Sequence, residues 1–411
     1  RYFDDDQQLQ LFRLMENNEH TLEFLIELDD ILIEKLLNHG NSDEIANLIQ
    51  DASTNDQRYI LEALKEDQAK SVMELLETDE KEEIEEIMAY PEDSAGSMMS
   101  TDIFTLHQNT SCGEALRAIQ DQEEAEMVFY LYITNDENSL SGVASLRTLA
   151  TTPQNTTLKD IMIKKIHSVR PEMDQEDVAQ IVAQYNYLAV PVVDVDNHLL
   201  GIVTVDDVVD VIREEATEDF LKMAGAGKDR EILLKSSFEN VRARFPWLFA
   251  SWVGGVIAAT VIGVFENMLE NIIILTAFIP VIIGMGGNIG TQSSTIIVRG
   301  MATRRIEIGN EWKILIKELK IGLILGLLYG FLLGMFAIFK FVDTDPMIGL
   351  VVGLSICASM VLATGVGTFS PLILRKLDID PAIATGPFVT TSIDILGVLL
   401  YFIIANSLLN F

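Results

Sequence analysis

The chain has 411 residues, 49% hydrophobic and 22% charged, with 29 lysines and arginines against 62 aspartates and glutamates. That length predicts two or three domains, and the charge divides them: residues 1–245 carry 52 acidic and 20 basic side chains, residues 246–411 only 10 and 9. A strongly acidic half joined to a nearly neutral, apolar half excludes a simple soluble enzyme, and so negative a surface repels phosphate, excludes nucleic acid as the partner and attracts cations. Two distant cysteines, Cys112 and Cys357, provide neither a disulfide framework nor a paired-cysteine metal site.

In chain order, residues 1–96 read as an acidic domain of short amphipathic helices, among them 8–14, 45–49, 58–64 and 71–76, without strand-like alternation. The run Glu80, Glu82, Glu83, Glu85 and Glu86 reads as a solvated face. From Ser97 an internal repeat begins. Its first copy holds Met98-Met99, Thr105-Leu106, a helix over 112–119, a strand over 128–133 and Ser141-Gly142-Val143-Ala144-Ser145-Leu146-Arg147-Thr148. The second holds Asp160-Ile161-Met162, Ser168-Val169, a helix over 175–183, a strand over 188–194 and Gly201-Ile202-Val203-Thr204-Val205-Asp206-Asp207. This β-α-β-β-α order, twice over, resembles a tandem pair of cystathionine-β-synthase (CBS) domains at 97–160 and 161–222. The likeness implies regulatory modules that bind adenosine nucleotides or ions. A connecting helix within 223–245, ending at Arg242 and Arg244, leads to the apolar half, 246–411.

A helix crossing a bilayer needs about 20 mostly apolar residues, and five stretches qualify: 246–265, 272–298, 315–339, 347–373 and 384–409. The third opens with Lys317, Glu318 and Lys320, so its lipid-facing part starts near Ile321. With the N-terminal half cytoplasmic, the inner segments 299–320 and 374–383 hold eight of this half's nine basic residues, and the outer loops hold only Lys340. Five crossings then leave the C-terminus outside the cell (inner) membrane.

Three features exceed what an anchor needs. The second span contains Gly284-Met285-Gly286-Gly287-Asn288-Ile289-Gly290-Thr291-Gln292-Ser293-Ser294, which suits tight helix packing or a polar path; both readings stay open. Asp394, the one ionisable residue deep in a span, costs at least roughly 2.5 kcal/mol in lipid and has no intramembrane lysine, arginine or histidine to pair with, which favours a cation path. Pro371, Pro381 and Pro387 bracket an inner loop, so the fifth span is expected to open with a bent, partly unwound segment, with Asp380 at the cytoplasmic mouth or as a helix N-cap.

The whole order, an N-terminal α-helical superhelical domain, an α/β CBS pair, a connecting helix and an all-α membrane domain, together with Tyr90-Pro91-Glu92-Asp93-Ser94-Ala95-Gly96, the Gly287–Ser293 run, Thr390-Thr391 and Asp394, resembles the MgtE family of Mg²⁺ channels. The resemblance implies a homodimer in the lipid bilayer with its pore between subunits, where Asp394 holds hydrated Mg²⁺ with the Thr390 carbonyl and Asn288 near the path. It further implies a channel gated shut by cytoplasmic Mg²⁺ at regulatory carboxylates, for which Asp51, Asp174, Glu176, Asp207, Asp210, Glu218, Asp219 and Asp380 are the candidates. Mg²⁺ keeps several waters and takes oxygen ligands, as such sites would offer. This chain departs from the family pattern at Thr364, where asparagine is usual, at Asn186, where an acid is common, and at Thr148, where the acid that would hold a ribose is missing. The missing acid counts against ATP, which the resemblance nevertheless keeps as a second candidate ligand, with Tyr130 and Tyr187 to stack on adenine and Arg147 from the nucleotide-contacting pair.

Three alternatives are weighed: a broader divalent-cation (Co²⁺, Mn²⁺) transporter, a CBS-regulated membrane enzyme, and a nucleotide sensor on a passive anchor. None of the five histidines lies in the membrane half, and no nucleophile–base pair or metalloprotease motif occurs, so no catalytic residues are assigned.

Overall fold

The computed structural model describes residues 12, 21–26, 28, 30–37, 41–50, 52–121, 130–227, 232, 235–306, 309–342, 345–377 and 379–409. The expected helix at 8–14, apart from Phe12, and the candidate Asp51 lie outside them. The chain forms two compact units, Arg1–Glu215 and Ala216–Phe411.

The first unit opens with short helices: α1 (Thr21–Ile26), α2 (Asp30–Leu37), α3 (Ser42–Ile49), α4 (Thr54–Ala63), α5 (Glu66–Met73), α6 (Thr78–Met88) and α7 (Ala95–Met98). Each is too short to persist alone; α1 to α6 persist by burying one face each, through Leu25, Ile33, Ile45, Ile49, Ile60, Val72 and Ile84, in a common core, while α7 buries Ala95 and Met98 with Val178 and Val190 of the repeat. Local capping sets the boundaries, as where Ser53 accepts from the Asp56 N–H and Asn41 and Glu44 close a capping box. Glu82, Glu83, Glu85 and Glu86 of α6 are exposed beside buried Ile84 and Ile87, while Glu80, on the same face as those isoleucines, is half-buried.

The repeat follows as β1 (Thr105–His107), α8 (Cys112–Gln120), β2 (Tyr130–Thr134), β3 (Leu140–Ser145), α9 (Leu146–Thr151), α10 (Leu158–Ile161), α11 (Gln175–Tyr185), β4 (Ala189–Val193) and β5 (Leu199–Thr204). β1 runs parallel to β2, which pairs antiparallel with β3; β4 and β5 pair antiparallel, and the counterpart of β1 is a single parallel bridge, Val169 to Val192. The leading segments are exchanged. Ser100 bridges to Ile202 and Ile163 to Val143, so the first copy's methionine pair packs on the second copy's strand and the reverse. A Cβ on Gly201 would lie 2.6 Å from the Met99 sulfur, and one on Gly142 would lie 2.6 Å from that of Met162. That is the physical reason for glycine at both repeat positions.

α12 (Val205–Met223) carries the chain from one unit to the other. The second unit continues with α13 (Ser237–Val264), α14 (Glu266–Asn271), a 3₁₀ stretch (Ile273–Phe278), α15 (Ile279–Ala302), α16 (Glu311–Lys340), α17 (Met347–Lys376), a 3₁₀ turn (Pro381–Ala384) and α18 (Pro387–Leu409). Among the described residues, five segments are long and apolar enough to cross a membrane, and they match the five expected. The expected connecting helix differs: Arg242, Arg244 and Pro246 lie inside α13, one continuous 28-residue helix begun by the Ser236–Glu239 capping box. α17 is the central helix. Gly322, Gly326, Gly330 and Gly334 on α16 bring it against α17 so closely that a Cβ at Gly330 would lie 2.5 Å from the Gly353 carbonyl oxygen.

Candidate functional site

Helix phase sorts the polar run of α15. Gly286 and Gly290 are buried, with Ile393 of α18 where their Cβ atoms would stand, whereas Gly284 and Gly287 face open space and Asn288 and Gln292 are exposed. The run therefore packs on one side and presents polar groups on the other. On α18, Ile393 fills the α15 contact, and Asp394, the next residue, is half-buried, with no hydrogen bond or ion pair among the described residues. Thr390, one turn earlier, folds its hydroxyl back onto the Gly386 and Pro387 carbonyls, both at 3.3 Å. Thr364 does not face a path: it is buried against Gly322, its hydroxyl on the Met360 carbonyl at 2.9 Å.

The fifth span opens as its prolines predict, with a 3₁₀ turn and a break before α18. Asp380 caps that turn, one carboxylate oxygen accepting from the Ala382 N–H at 2.8 Å. Its other oxygen takes the Lys222 ammonium at 2.6 Å, and the same ammonium pairs with Glu218 one turn back on α12. Burial disfavours the charge on Lys222, yet Asp380 and Glu218 hold its affinity for the proton above that of an ordinary lysine. Burial, and then the nearby Asp380, pushes the Asp219 carboxyl upward. The last turn of α12 is fitted closely: Met223 packs with Ile297, Val298, Met301, Leu372 and Ala382, and a Cβ at Gly386 would lie 2.7 Å from the Met223 carbonyl oxygen. Three of the expected regulatory acids, Glu218, Asp219 and Asp380, are thus brought together around one lysine.

The others in the first unit have separate settings. Asp174 caps α11 and Glu176 holds Gln180. Asp210 pairs with Arg213 at 3.3 Å. Asp207 closes the start of α12, accepting from the Thr204 hydroxyl at 2.5 Å and its N–H at 3.2 Å. Burial pushes its carboxyl up to about 6, with Asp206 and Asp56 adding to the rise. Asp56 is itself raised, by burial and by Asp102. Asp56 and Asp102 carry no sequence mark of their own; only the fold brings them toward Asp207. Asn186 occupies the left-handed C-cap of α11, at φ 53°, which asparagine tolerates well. Asp194, Asp196 and His198 cluster at the β4–β5 turn, where Asp194 accepts the backbone N–H groups of the other two.

The repeat also holds a cavity of about 170 Å³ lined by Tyr130, Tyr132, Lys165, His167, Tyr187 and Pro191. Tyr187 is held there by His167 at 2.5 Å, whose ring stacks on Tyr185 with centroids 4.3 Å apart. Tyr132 is 3% exposed and its hydroxyl has no partner among the described residues. Tyr130 and Tyr187 meet as expected, but Arg147 is exposed on α9 and does not line the cavity, and Thr148 spends its hydroxyl on Ser145 at 2.8 Å. Lys165 and His167, which sequence reasoning missed, bring an ammonium and an imidazole ring to the cavity.

Among the described residues, five helices long and apolar enough to span a membrane, with an acid that has no partner and a glycine-rich polar helix, joined to an acidic unit built on a CBS-like repeat, define a membrane transporter of cations. Residues 279–404 match a family described as divalent cation transporter, 95–153 and 158–214 match the CBS domain, and 1–93 match the MgtE intracellular N domain. The chain is 36% identical to the magnesium transporter MgtE of Enterococcus faecalis over 80% of this chain and 72% of that one. It is 33% identical to MgtE of Bacillus subtilis over 91% and 80%. Among solved structures, the cytosolic domain of the Mg²⁺ channel MgtE in complex with ATP is 30% identical, covering 51% of this chain and 91% of that one at a TM-score of 0.35. The chain belongs to the MgtE family of magnesium transporters. It is a multi-pass membrane protein with an intracellular N domain, and it is not an enzyme.

Proposed function

We propose that the protein is a Mg²⁺-selective channel that cytoplasmic Mg²⁺ closes. The observation carrying this reading is Asp394: a half-buried carboxylate in an apolar helix, with no cationic partner among the described residues. A carboxylate in that position is stable only facing water, a partner or an ion. A second copy across a shared axis would supply its equal, and two such acids suit a hydrated Mg²⁺, with the Thr390 carbonyl and Asn288 beside the path. With the intracellular N domain inside, five crossings put the C-terminus outside. Co²⁺ and Mn²⁺ accept the same ligands, so a broader specificity is the runner-up.

Gating rests on the acids. Glu218, Asp219 and Asp380 meet at the mouth, and in the first unit Asp56 feels the charges of both Asp102 and Asp207. Removing cation leaves these groups in mutual repulsion, and binding it draws their elements together, which closes the mouth through α12. The cavity beside Tyr130 and Tyr187 suits ATP, whose adenine would stack on the tyrosines, donate to the unpaired Tyr132 hydroxyl and leave its phosphates near Lys165.

The test is Mg²⁺ flux into proteoliposomes. Asp394→Ala is expected to lose at least tenfold in flux, while wild-type flux falls as Mg²⁺ rises on the cytoplasmic face. Normal conduction by Asp394→Ala would remove the pore assignment.

A further inference from the structure

Hydroxyls in the spanning helices have a default partner, the carbonyl one turn back in the same helix. Thr260, Ser370, Ser392 and Ser407 take it, at 2.8–2.9 Å, while Ser355, Ser359 and Thr368 of α17 have no partner among the described residues. Among the serines and threonines of the described spanning helices, Ser293 and Ser294 of α15 are the two whose hydroxyls donate outside their own helix; the one tyrosine that does so, Tyr401 of α18, donates to the Leu275 carbonyl. Ser293 donates to Glu318 of α16 at 3.0 Å, and Ser294 to Thr385, just ahead of α18, at 3.1 Å. Glu318 is 6% exposed, and no ion pair reaches it from the described residues, although Lys317 and Lys320 flank it in sequence; both are exposed on the far side of α16. A buried carboxylate is costly, and a serine could have been satisfied without one.

The directions of these bonds explain the arrangement. At about 100° per residue, Ser293 and Ser294 point about 140° and 240° round from Asn288, and Gln292 about 40°. The two tethers are therefore centred opposite the exposed Asn288–Gln292 stripe. One ties α15 to α16, the other to the segment that leads into the helix of Thr390 and Asp394.

We propose that these tethers are a rotational lock on the pore-lining helix, with Glu318 as the positioning residue that holds Asn288 and Gln292 toward the cation path. This rests on the reading that α15 lines that path. Glu318 acts through its hydrogen bond to Ser293, so an isosteric acceptor suffices and a truncated side chain does not.

The experiment measures Mg²⁺ and Co²⁺ flux in proteoliposomes for Ser293→Ala, Glu318→Ala, their combination and Glu318→Gln, with the amount of monodisperse protein as a check on folding. Expected are a change of about threefold or more in the Mg²⁺:Co²⁺ ratio for each alanine variant, no further change in the combination, and a wild-type ratio in Glu318→Gln. Ser293→Ala removes a single oxygen and tests the lock should Glu318→Ala not fold. The proposal is overturned if the ratio stays constant in Ser293→Ala, or if Glu318→Gln is as altered as Glu318→Ala. Asn288→Ala separates the two levels: an unchanged ratio there means that α15 does not line the path, and the lock falls with that reading. A changed ratio there with an unchanged Ser293→Ala removes the lock alone.

Discussion

Asp207 sits where charge and burial oppose each other. Burial pushes its carboxyl up to about 6, whereas an unfolded aspartate titrates near 3.9. Between about pH 4 and 6 the folded chain thus holds a proton that the unfolded chain has released. The stability this provides is complete below about pH 4 and is lost as pH rises through 6, so at neutral pH the buried charge is a standing cost. Asp207→Asn keeps an oxygen for Thr204 and removes that cost. It is expected to raise Tm at pH 7 without divalent cations, by on the order of 1–2 kcal/mol of stability, and to match the wild type at pH 4, as measured by thermal unfolding. A lower Tm at pH 7 would mean that a cationic partner already compensates the carboxylate. Asp394 was legible in the sequence because a lone acid stands out in an apolar run. Glu318 was not, because Lys317 and Lys320 make it look like part of a charged border, and only the helix phase turns it inward.

Elements are where the sequence says most about existence and least about contact. The five spans, the repeat and its strands follow from hydropathy and periodicity, and Pro381 and Pro387 foretold the break before α18, while Pro371 stays inside the continuous α17. The exchange of leading segments between the CBS copies was not readable, since Met99 and Met162 are ordinary apolar residues until Gly201 and Gly142 make room for them. The glycines at 322, 326, 330 and 334 act the same way between α16 and α17. Gly330→Leu would drive a side chain into the Gly353 carbonyl and is expected to cost about 1–3 kcal/mol, seen as a lower unfolding temperature in detergent; an unchanged value would show that the two helices can part without loss. The tie at the end of α12 depends on charge instead. Lys222→Met leaves Glu218 and Asp380 facing each other without their ammonium. Loss of charge-assisted hydrogen bonds of this kind predicts about a fivefold or greater rise in flux at low cytoplasmic Mg²⁺. Flux equal to the wild type would show that these pairs do not hold the mouth.

Over the whole molecule, the balance of 52 acids against 20 bases in residues 1–245 sets two possible responses to salt. General screening lowers repulsion for any electrolyte and depends only on ionic strength. Site binding depends on the ion, because a divalent cation can engage two or more carboxylates at once while sodium cannot hold them together. The geometry favours the second, since the acids that matter converge in small groups: Asp56, Asp102 and Asp207 in one unit, and Glu218, Asp219 and Asp380 in the other. Hydrogen exchange in lipid nanodiscs separates the two responses. Millimolar Mg²⁺ is expected to slow exchange in 216–223 and 381–386, the segments joined at the mouth, several-fold more than sodium chloride of the same ionic strength. The slowing should be absent in a variant with Glu218, Asp219 and Asp380 all changed to their amides. Equal protection by both salts would mean that the acidic half responds to screening alone, and the cation-bridging account of closure would fail with it.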